Sequence, residues 1–567
     1  TTVANYSFKN SMNGATKESL AGLVGGEYYR LSVRLFCTAT DTSIWSDEVI
    51  YYLPACGDSL DINFSTKRIS PQIATVQWNS QKGVYVNRLL YFRKNNPFFS
   101  RSILDIKDSL TAVVSEDTLT NLSVGPYEML VEVGCPFDTS DWRYIGEFDF
   151  SGRKLCGDYT IDQNGSISFT NYTSFQNLTH ELKTTGISCP VFINVVPGSG
   201  PYTEQVLFEK VLGTNDTHRI IINGHNETIQ FNPTTQDYRV VGFDSASYIT
   251  LDNFKIKGNN SQRGIGVHFK NQSNHNAIQN CTIDMSALRN TSFGRSAGIA
   301  ASNSNSHTSI GGDNASDLTV LNNAIVGDTL GGPFAGIALN GDARNNVNNR
   351  IIGNLIRDFY SDGIYFQNQS DLIIEGNRIE RPRHSSVGVG YGVFLEGSNS
   401  SNLSIRNNQI SNFFGGRNNA NGKFYGIYLL NNTAPNNSII DIYNNLINGN
   451  GTDGDAIGLY NQKSNLVNYD HNTFVVNNPS SNLGKVQGVY IDRGSDSRIY
   501  NNLIYINKGG TASKHGIYNL VSANLSTDYN NVYFGGTTSN AHYGHYLSNR
   551  TSLVDWRASV NGYGTNS

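Results

Sequence analysis

Acidic, basic and histidine side chains in the second half of the chain could act chemically on a polymer. A glycosidase needs two carboxylates at a fixed separation across a groove, whereas a polysaccharide lyase needs a Lys or Arg base beside a calcium site of Asp and Glu. The candidates are Glu396, Asp453, Asp455, Asp470, His471, Asp492 and Arg493, together with Arg378, Glu380, Arg381, Arg383 and His384. Whether they converge depends on the elements that position them.

A glycine–hydrophobic phrase recurs about every thirty residues through this half of the chain. The copies are Gly264-Ile265, Gly298-Ile299, Gly336-Ile337, Gly363-Ile364, Gly392-Val393, Gly426-Ile427, Gly488-Val489 and Gly516-Ile517, with Ala456-Ile457 in one slot. Around each copy, as in Ile364-Tyr365-Phe366, the inward and outward positions alternate. This period predicts a short strand with one buried face.

An asparagine phrase follows each glycine phrase, with the Asn two residues before an apolar residue. These residues are Asn323, Asn354, Asn377, Asn408, Asn445, Asn472, Asn502 and Asn531. A primary amide can donate and accept along a stack, and Asn tolerates the left-handed backbone of a tight corner. The pattern predicts a structural Asn ladder rather than a row of ligands.

Two short strands per period, turned by Asn and Gly, predict one coil of a solenoid. Such a unit cannot close a core alone, but coils stacked about 4.8 Å apart bury a continuous apolar column. Parallel crossover connections are overwhelmingly right-handed. The predicted fold class is therefore all-β, with a right-handed parallel β-helix that follows a different set of modules at the start of the chain.

This repeat keeps the candidate catalytic groups apart. Just beyond the Gly-Ile strand, the residues in phase are Gln367, Glu396, Leu430, Asn461, Asp492 and Asn519. The two acids, Glu396 and Asp492, lie three coils or about 14 Å apart, which is outside both glycosidase geometries. The Arg-rich segment 378–384 is interpreted as a solvated corner, and His471 as part of the turn ladder. We therefore expect no enzymatic activity, no metal site and no cofactor.

The outward position of the Gly-Ile strand changes from small to aromatic along the chain. After Gly266, Ala300 and Ala338 come Tyr365, Phe394, Tyr428, Tyr490 and Tyr518, with Gly458 in one slot. These rings are predicted to form an exposed stripe. Stacking between neighbouring strands, at about 0.2–1 kcal/mol per pair, is one explanation. Binding of sugars or of a partner protein is the other.

The first third of the chain contains a different repeat. Segments that begin at Tyr29 and Tyr127 share an alternating strand pattern that ends in Cys, continues through Asp-Thr-Ser and reaches a Trp. With Trp78 in an early strand, these modules resemble fibronectin type III domains, which are β-sandwiches. The resemblance implies the C-terminal part of one module at 1–57 and a complete module at 58–156.

Each module has one Cys in this strand and one at its exit. The predicted disulfides are Cys37–Cys56 and Cys135–Cys156, because two thiols per module cannot complete a four-ligand zinc site. Disulfides imply an oxidising compartment. Cys189 and Cys281 lie outside this scheme and are either buried thiols or a long-range bridge.

The composition favours a β-rich extracellular protein. The 567 residues include 42 basic and 46 acidic residues, a net charge of −4, so nothing recruits nucleic acid or an anionic membrane. The chain has three Met and is rich in Asn, Gly, Ser, Thr and Tyr. No stretch reaches the roughly 18 apolar residues of a membrane-spanning helix.

The segment after the sandwich modules carries a family resemblance. Gly157 to Ile161 and the strand 186–195 resemble the N-terminal segment of β-helix repeat proteins that gliding-type Gram-negative bacteria export through the type IX secretion system. Leu553 to Trp556 is similar to a Leu-x-x-Trp segment late in those solenoids. The resemblance implies a capping segment with the first strands at 157–245, and coils at 246–567 that continue past the last residue shown.

These observations predict a secreted cell-surface protein that serves as a rigid stalk or adhesive element of a fibre. Its expected partners are other surface proteins, copies of itself, or glycans. The alternative is a carbohydrate-active β-helix, either a lyase or hydrolase or a glycan-binding module. We expect no nucleic-acid partner and no membrane insertion.

Overall fold

The computed structural model describes residues 27–34, 42–53, 64–70, 73–78, 85–93, 106–108, 116–119, 122, 125–135, 138–139, 142–150 and 154–559, the last range without 343–345, 386–387, 398, 416–420, 434, 436–437, 482, 521–523 and 537–538. The chain divides into two compact units, Thr1–Gly152 and Arg153–Ser567. No helix in these ranges is long and apolar enough to cross a membrane.

The first unit consists of short antiparallel sheets. The strands are Glu27–Leu31 with Val49–Leu53; Phe64–Ser70 with Ile73–Trp78 and Glu116–Leu119; and Tyr85–Arg93 with Ile106–Asp108, Gly125–Cys135, Asp138–Thr139 and Arg143–Phe150. The second and third groups share a buried core that includes Trp78, Tyr91, Tyr127 and Phe148. The assignment of this unit to fibronectin type III stays a prediction.

The second unit is a solenoid of three long sheets whose strands pair in parallel from coil to coil. The first sheet contains Asn171–Tyr172, Leu155–Ile161, Ile187–Val195, Ile220–Asn223, Ile249–Asp252, Ala277–Gln279, Thr319–Leu321, Arg350–Ile352, Ile373–Glu375, Leu403–Arg406, Ile440–Tyr443, Val467–Asp470, Arg498–Tyr500 and Ser526–Asp528. The second contains Tyr202–Thr203, Thr228–Phe231, Lys255–Gly258, Thr282–Asp284, Ala324–Val326, Leu355–Arg357, Arg378–Glu380, Gln409–Ser411, Leu446–Asn448, Thr473–Asn478, Leu503–Lys508 and Asn531–Phe534. The third contains Val206–Glu209, Arg239–Asp244, Gly264–Lys270, Ser296–Ala301, Ala335–Asn340, Asp362–Gln367, Gly390–Glu396, Phe424–Leu430, Ala456–Gln462, Val486–Asp492, Lys514–Asn519, Ala541–Tyr546 and Ser548–Arg550, and a separate pair is formed by Asn346–Val347 and Gln369–Ser370.

The prediction of a parallel β-helix is confirmed, but each coil has three strands rather than the two expected. Strands of the first and second sheets, such as Ile373–Glu375 and Arg378–Glu380, are separated by only two residues. In the sequence, two strands so close together look like one strand that contains the asparagine phrase. The sequence pattern therefore did not reveal the corner between them.

The glycine of the repeated phrase lies within the third sheet and allows a close approach rather than a turn. A Cβ at Gly336 would lie 2.3 Å from Ile356 Cγ2 and 2.6 Å from the carbonyl oxygen of Gly363. At Gly363 it would lie 2.3 Å from Ile379 Cγ2. The second-sheet Ile packs directly on this backbone, so any side chain would force the sheets apart.

The Asn ladder holds the corner between the first and second sheets. Asn408 Oδ1 accepts hydrogen bonds from the backbone N–H and from Nδ2 of Asn377, at 2.9 and 3.0 Å. Asn408 Nδ2 donates to the carbonyl of Ile374 at 2.9 Å. The residue before each of these rungs has a left-handed backbone, as in Gly376 (φ 64°) and Asn407 (φ 57°). The buried amides are thus fully hydrogen-bonded.

The last rung of the ladder is Asn530, and the predicted rung Asn531 is wrong. The backbone N–H and Nδ2 of Asn502 bond to Asn530 Oδ1 at 3.1 and 3.0 Å, and Asn531 is exposed. The cause is the register of this coil, in which Val532 and not Tyr533 pairs with Ile504, so that the phrase begins one residue earlier.

Cys281 takes the rung before Asn323. Its backbone N–H donates to Asn323 Oδ1 at 2.9 Å, and its Sγ accepts from the N–H of Phe254 at 3.4 Å. The thiol is buried and free, and burial raises its pKa to about 12. It is therefore an unreactive structural group, which is one of the two alternatives for this residue.

Cys156 forms a disulfide with Cys189, with their Cα atoms 4.9 Å apart. The predicted Cys135–Cys156 bridge is therefore wrong, and so is a bridge from Cys189 to Cys281. The physical reason is that Cys156 lies in the strand Leu155–Ile161, which belongs to the solenoid and pairs in parallel with Ile187–Val195. The predicted pair Cys37–Cys56 lies outside the described residues.

Two helices cover the solenoid core. Helix α1 (Phe175–Thr185) buries Phe175, Leu178 and Leu182 against the first coils. Helix α2 (Leu553–Arg557) buries Trp556 against the last coil. Beside α2, the strand Ser548–Arg550 pairs antiparallel with Ala541–Tyr546 and interrupts the parallel ladder of the third sheet.

Replacing Cys281 by Asn should stabilise the solenoid. The new amide would accept from the Phe254 N–H and donate to the Leu251 carbonyl, the counterpart of the 2.8 Å bond from Asn323 Nδ2 to Ile278. We expect a gain of about 1 kcal/mol, the net value of a buried hydrogen bond. Thermal unfolding followed by circular dichroism measures it. Cys281→Ala, which removes the acceptor, should unfold earlier than wild type, and an Asn variant that also unfolds earlier contradicts the ladder assignment.

Candidate functional site

The outer face of the third sheet is where the sequence predicted an aromatic stripe. Strand pairing places Tyr365, Phe394, Tyr428, Tyr460, Tyr490 and Tyr518 opposite one another on successive coils. A second column on the same sheet contains Tyr391 opposite Tyr425. We call Tyr391, Phe394, Tyr425, Tyr428, Tyr460, Tyr490 and Tyr518 the aromatic face.

One member of the predicted stripe was wrong. The sequence placed Gly458 in the column, but Tyr428 pairs with Tyr460 and Ile427 pairs with Leu459. The phrase of this coil is therefore Gly458-Leu459, and Ala456-Ile457 only imitates it two residues earlier. With Tyr460 included, the column of rings has no gap from Tyr365 to Tyr518.

The rings of the column stack on one another. Centroids are 5.0 Å apart for Phe394 and Tyr428, 4.6 Å for Tyr428 and Tyr460, and 4.6 Å for Tyr460 and Tyr490, with interplanar angles of 7°, 14° and 21°. Such pairs contribute about 0.5–1.5 kcal/mol each beyond their buried area. Neighbouring rings cover one another's flat faces, and the side chains from Phe394 to Tyr518 are only partly exposed. The predicted exposed stripe is therefore partly exposed from Phe394 to Tyr518.

Tyr391 and Tyr425 make the stack two rings wide. The ring centroid of Tyr391 lies 4.8 Å from that of Phe394 and 5.2 Å from that of Tyr425. The centroids of Tyr425 and Tyr428 are 5.4 Å apart. Sequence reasoning missed both residues because it considered only the position after the glycine. The signal was present, since each Tyr directly precedes the glycine of its phrase.

The aromatic face is covered at its N-terminal end. Tyr365 is only 3% exposed, and Phe293 packs edge-on against it at 5.9 Å and against Phe334 at 5.5 Å. The preceding members of the column, Ala300 and Ala338, are buried in the same cluster. Small side chains let loops lie on the sheet there. The prediction that Tyr365 is exposed was therefore wrong.

Polar side chains border the aromatic face. The Tyr365 hydroxyl donates to Glu396 Oε2 at 2.8 Å, and the Tyr428 hydroxyl donates to Gln462 Oε1. Burial raises the pKa of the Tyr428 and Tyr460 hydroxyls above the ordinary tyrosine value. These hydroxyls are therefore protonated and able to donate at physiological pH.

The two in-phase acids lie in one column, three coils apart, as the sequence predicted. Strand pairing runs from Glu396 to Leu430, Gln462 and Asp492, about 14 Å at the usual strand spacing. Gln462 stands where Asn461 was expected, because Leu430 pairs with Gln462 and Asn461 pairs with Leu429. Neither glycosidase separation is met by this pair.

The charged corner at 378–384 is only in part the solvated turn that was predicted, because Arg378 and Arg383 are exposed. Glu380 and Arg381 are both fully buried. Glu380 accepts hydrogen bonds from Arg357 at 2.7 Å and from Arg378 at 2.9 Å. The Arg381 guanidinium lies 5.1 Å from the ring centre of Phe413. These contacts place Glu380 and Arg381 in the interior of the corner.

The remaining candidates are also engaged. Four of them form ion pairs: Arg383 with Asp358, Asp470 with Arg498, Asp455 with Lys423, and Asp492 with Arg493. The ring of His384 packs edge-on against Tyr360. The backbone of His471 is left-handed, at a corner of the coil. Asp453 is mostly buried beside Lys508, an amine that the sequence did not single out. Burial lowers the pKa of Lys508 to about 8. Lys508 is fully buried and donates to the Gly454 carbonyl, so it does not reach a polymer.

Asp362 is a buried carboxyl under the covered end of the face. It pairs with Tyr391 across the sheet and accepts a 2.7 Å hydrogen bond from the Ser361 hydroxyl. Burial raises its pKa to about 7, against the opposing charge of Arg381. The folded state therefore holds a proton here that the unfolded chain releases near pH 4.

Comparisons with known proteins agree on the fold. A family model described as a right handed beta helix region matches residues 239–441, and the handedness is the predicted one. No curated protein matches the sequence.

Several solved structures are similar to parts of this chain. The surface adhesin PfbA of Streptococcus pneumoniae is 12% identical over 64% of this chain and 81% of that chain, with a TM-score of 0.35. The Dettilon tailspike protein is 12% identical over 67% and 69%, with a TM-score of 0.43. The family 28 exopolygalacturonase of Yersinia enterocolitica is 12% identical over 86% and 99%, with a TM-score of 0.27. Likeness at this level indicates nothing about what this chain binds.

Asp362→Asn should stabilise the solenoid at neutral and alkaline pH. Because the folded-state pKa is raised, wild-type stability is full below pH 4 and falls as the pH rises toward 7. The amide does not titrate, so its advantage should grow across this window by up to about 4 kcal/mol, at about 1.4 kcal/mol for each pKa unit. Thermal melts of both proteins at pH 4.5, 6 and 8 measure this. An advantage that shrinks as the pH rises contradicts the assignment.

Proposed function

We propose that this chain belongs to a secreted adhesive protein whose aromatic face binds an extended, hydroxyl-rich glycan without cleaving it. The observation that carries the proposal is the parallel ring stack from Phe394 to Tyr490, whose side chains are partly exposed. Export by the type IX route and attachment at the cell surface belong to the same proposal.

Secretion is supported by the disulfide between Cys156 and Cys189. Structural disulfides form and persist outside the reducing cytosol. This bridge joins neighbouring strands where the solenoid begins. It therefore stabilises the first coils under oxidising conditions.

A polar ligand is favoured by the tyrosine hydroxyls of the aromatic face. The hydroxyls of Tyr391, Tyr425, Tyr460 and Tyr490 make no hydrogen bond to the described part of the protein. An aromatic residue with a free hydroxyl offers both apolar ring area and a hydrogen-bonding group. Sugar rings present the same combination of C–H surface and hydroxyls.

The spacing of the stack favours a polymer of rings over a peptide. Adjacent centroids from Phe394 to Tyr518 are 4.6 to 5.0 Å apart. Same-face side chains of an extended peptide recur at about 6.8 Å, so a peptide lying along the solenoid would lose register after one or two coils. A glycan with about one sugar unit per coil would keep it.

The arrangement of carboxylates favours binding without cleavage. Glu396 is held by the Tyr365 hydroxyl at 2.8 Å, and Asp492 is paired with Arg493. The two acids are three coils apart along one column. They cannot act on the two sides of a single glycosidic bond.

Affinity electrophoresis tests the proposal. The protein is run through gels that contain hydroxyethyl cellulose, laminarin, xylan, alginate or polygalacturonate. We expect at least one polysaccharide to retard the wild-type chain, and the double variant Tyr428→Ala/Tyr460→Ala to lose most of that retardation. Loss of two stacked rings removes the centre of the aromatic face while leaving the Asn ladder intact.

Tyr505→Ala/Tyr533→Ala is the matched control. These rings also stack on neighbouring coils, 5.6 Å apart, but on the second sheet. The control should keep the wild-type retardation. The proposal fails if no polysaccharide retards the wild type, or if both double variants lose retardation equally. Release of reducing sugar by the wild type would instead support the carbohydrate-cleaving alternative.

A further inference from the structure

Cationic side chains border the most regular part of the ring stack. On one edge, Lys423 and Lys485 immediately precede the third-sheet strands of their coils. On the other edge, Lys463 and Arg493 immediately follow theirs. All four residues are exposed. The aromatic face therefore has basic groups along both of its long edges.

The backbone keeps these positions in phase from coil to coil. The N–H of Ala456 donates to the carbonyl of Lys485 at 2.8 Å, and the N–H of Lys463 donates to the carbonyl of Asp492 at 2.8 Å. Residues that repeat at the ends of the strands therefore lie in straight rows. One row lies on each side of the rings.

Acids offset only part of this charge. Asp455 Oδ2 lies 3.4 Å from Lys423 Nζ, and Asp492 Oδ1 lies 2.8 Å from Arg493 Nε. A third acid, Glu396, lies one coil earlier, at the covered end of the face, where it accepts the hydrogen bond from Tyr365. The two remaining cations of the edges are not neutralised by these acids.

Lys463 and Lys485 are those two cations. Neither ammonium forms an ion pair with a carboxylate of the described residues. They lie at opposite edges of neighbouring coils, whose rings are Tyr460 and Tyr490. The whole chain has a net charge of −4, so this surface departs from the overall charge. Local positive charge of this kind attracts anionic ligands.

We propose that the glycan bound by the aromatic face is acidic, with a carboxylate or sulfate group on its sugar units. This inference rests on the proposed glycan binding and names the class of the ligand. In an equatorially 1,4-linked chain each unit is turned over relative to the one before it, so successive anionic groups point to opposite edges. Units at Tyr460 and Tyr490 then present one group to Lys463 and the next to Lys485, which can bind them with charge-assisted hydrogen bonds.

Affinity electrophoresis on one polymer backbone tests the proposal. The gels contain hydroxyethyl cellulose, C6-oxidised cellulose or cellulose sulfate, which share a β-1,4-linked glucan chain and differ in charge. We expect at least one acidic polymer to bind the wild type more tightly than the neutral polymer does, and its identity distinguishes carboxylate from sulfate. In Lys463→Gln/Lys485→Gln this preference, measured as a ratio of Kd values, should fall about threefold or more, as expected for the loss of two exposed ion pairs.

Lys255→Gln/Lys257→Gln is the matched control. It removes the same two positive charges from the outer face of the second sheet, and mobilities in gels without polysaccharide correct for the change in net charge. The control should keep the wild-type preference for the acidic polymer. The inference is overturned if hydroxyethyl cellulose binds at least as tightly as both acidic polymers, or if the two lysine double variants behave alike.

These outcomes separate the charge of the ligand from glycan binding itself. If only neutral polysaccharides retard the wild type, and Tyr428→Ala/Tyr460→Ala abolishes that retardation, the proposed function stands and the acidic ligand is wrong. If no polysaccharide retards the wild type, both are wrong.

Discussion

The structure depends on how a buried corner keeps its polar groups hydrogen-bonded. At each coil the chain turns from the first to the second sheet inside the core, where an unpaired amide costs about 1–3 kcal/mol. An Asn at this corner satisfies two groups of the preceding rung and one carbonyl, as Asn408 does for Asn377 and Ile374. A coil shifted by one residue would lose these bonds together. The ladder therefore sets the register of the coils it joins.

The functional surface follows from this register. Once coils are in phase, an outward position that repeats in sequence becomes a straight column in space, and Tyr428, Tyr460 and Tyr490 come within stacking distance. The size of the side chain in the column then decides whether a loop can pack over the sheet at that coil. Ala300 and Ala338 lie buried beneath loops, whereas rings in later coils occupy that space themselves. One column thus contains a covered part and an open part.

The sequence predicted what is periodic and missed what is not. The repeat was sufficient for the β-helix, for the ladder from Asn323 to Asn502 and for most of the aromatic column, because each depends on one spacing. The repeat failed where a similar pattern one or two residues away could be mistaken for the paired strand. Ala456-Ile457 was assigned in place of Gly458-Leu459, and Asn531 in place of Asn530. In both cases the pairing with the neighbouring coil decides which residue turns inward.

Long-range contacts were the second limit. Cys156 resembled a sandwich cysteine by its spacing, but it lies in a solenoid strand and bonds to Cys189, which no local pattern indicates. Arg381 belongs to a charged segment that resembles a surface turn, yet the rings of Phe359 and Phe413, which come from different coils, lie against its guanidinium. Whether a charged side chain is buried depends on residues far away in sequence. The composition of the segment 378–384 alone could therefore not predict that Arg381 is buried.

The two columns of the aromatic face also have different chemistry at their ends. The column of Tyr391 and Tyr425 continues through Ile457 and Gln487 to His515 and His542. The column of Tyr490 and Tyr518 continues to His545, whose ring stacks on Tyr518 at 4.4 Å. A polymer along this face would meet an aromatic wall at one end and imidazoles at the other. Since the two ends differ, the two directions in which a polymer could lie along this face are not equivalent.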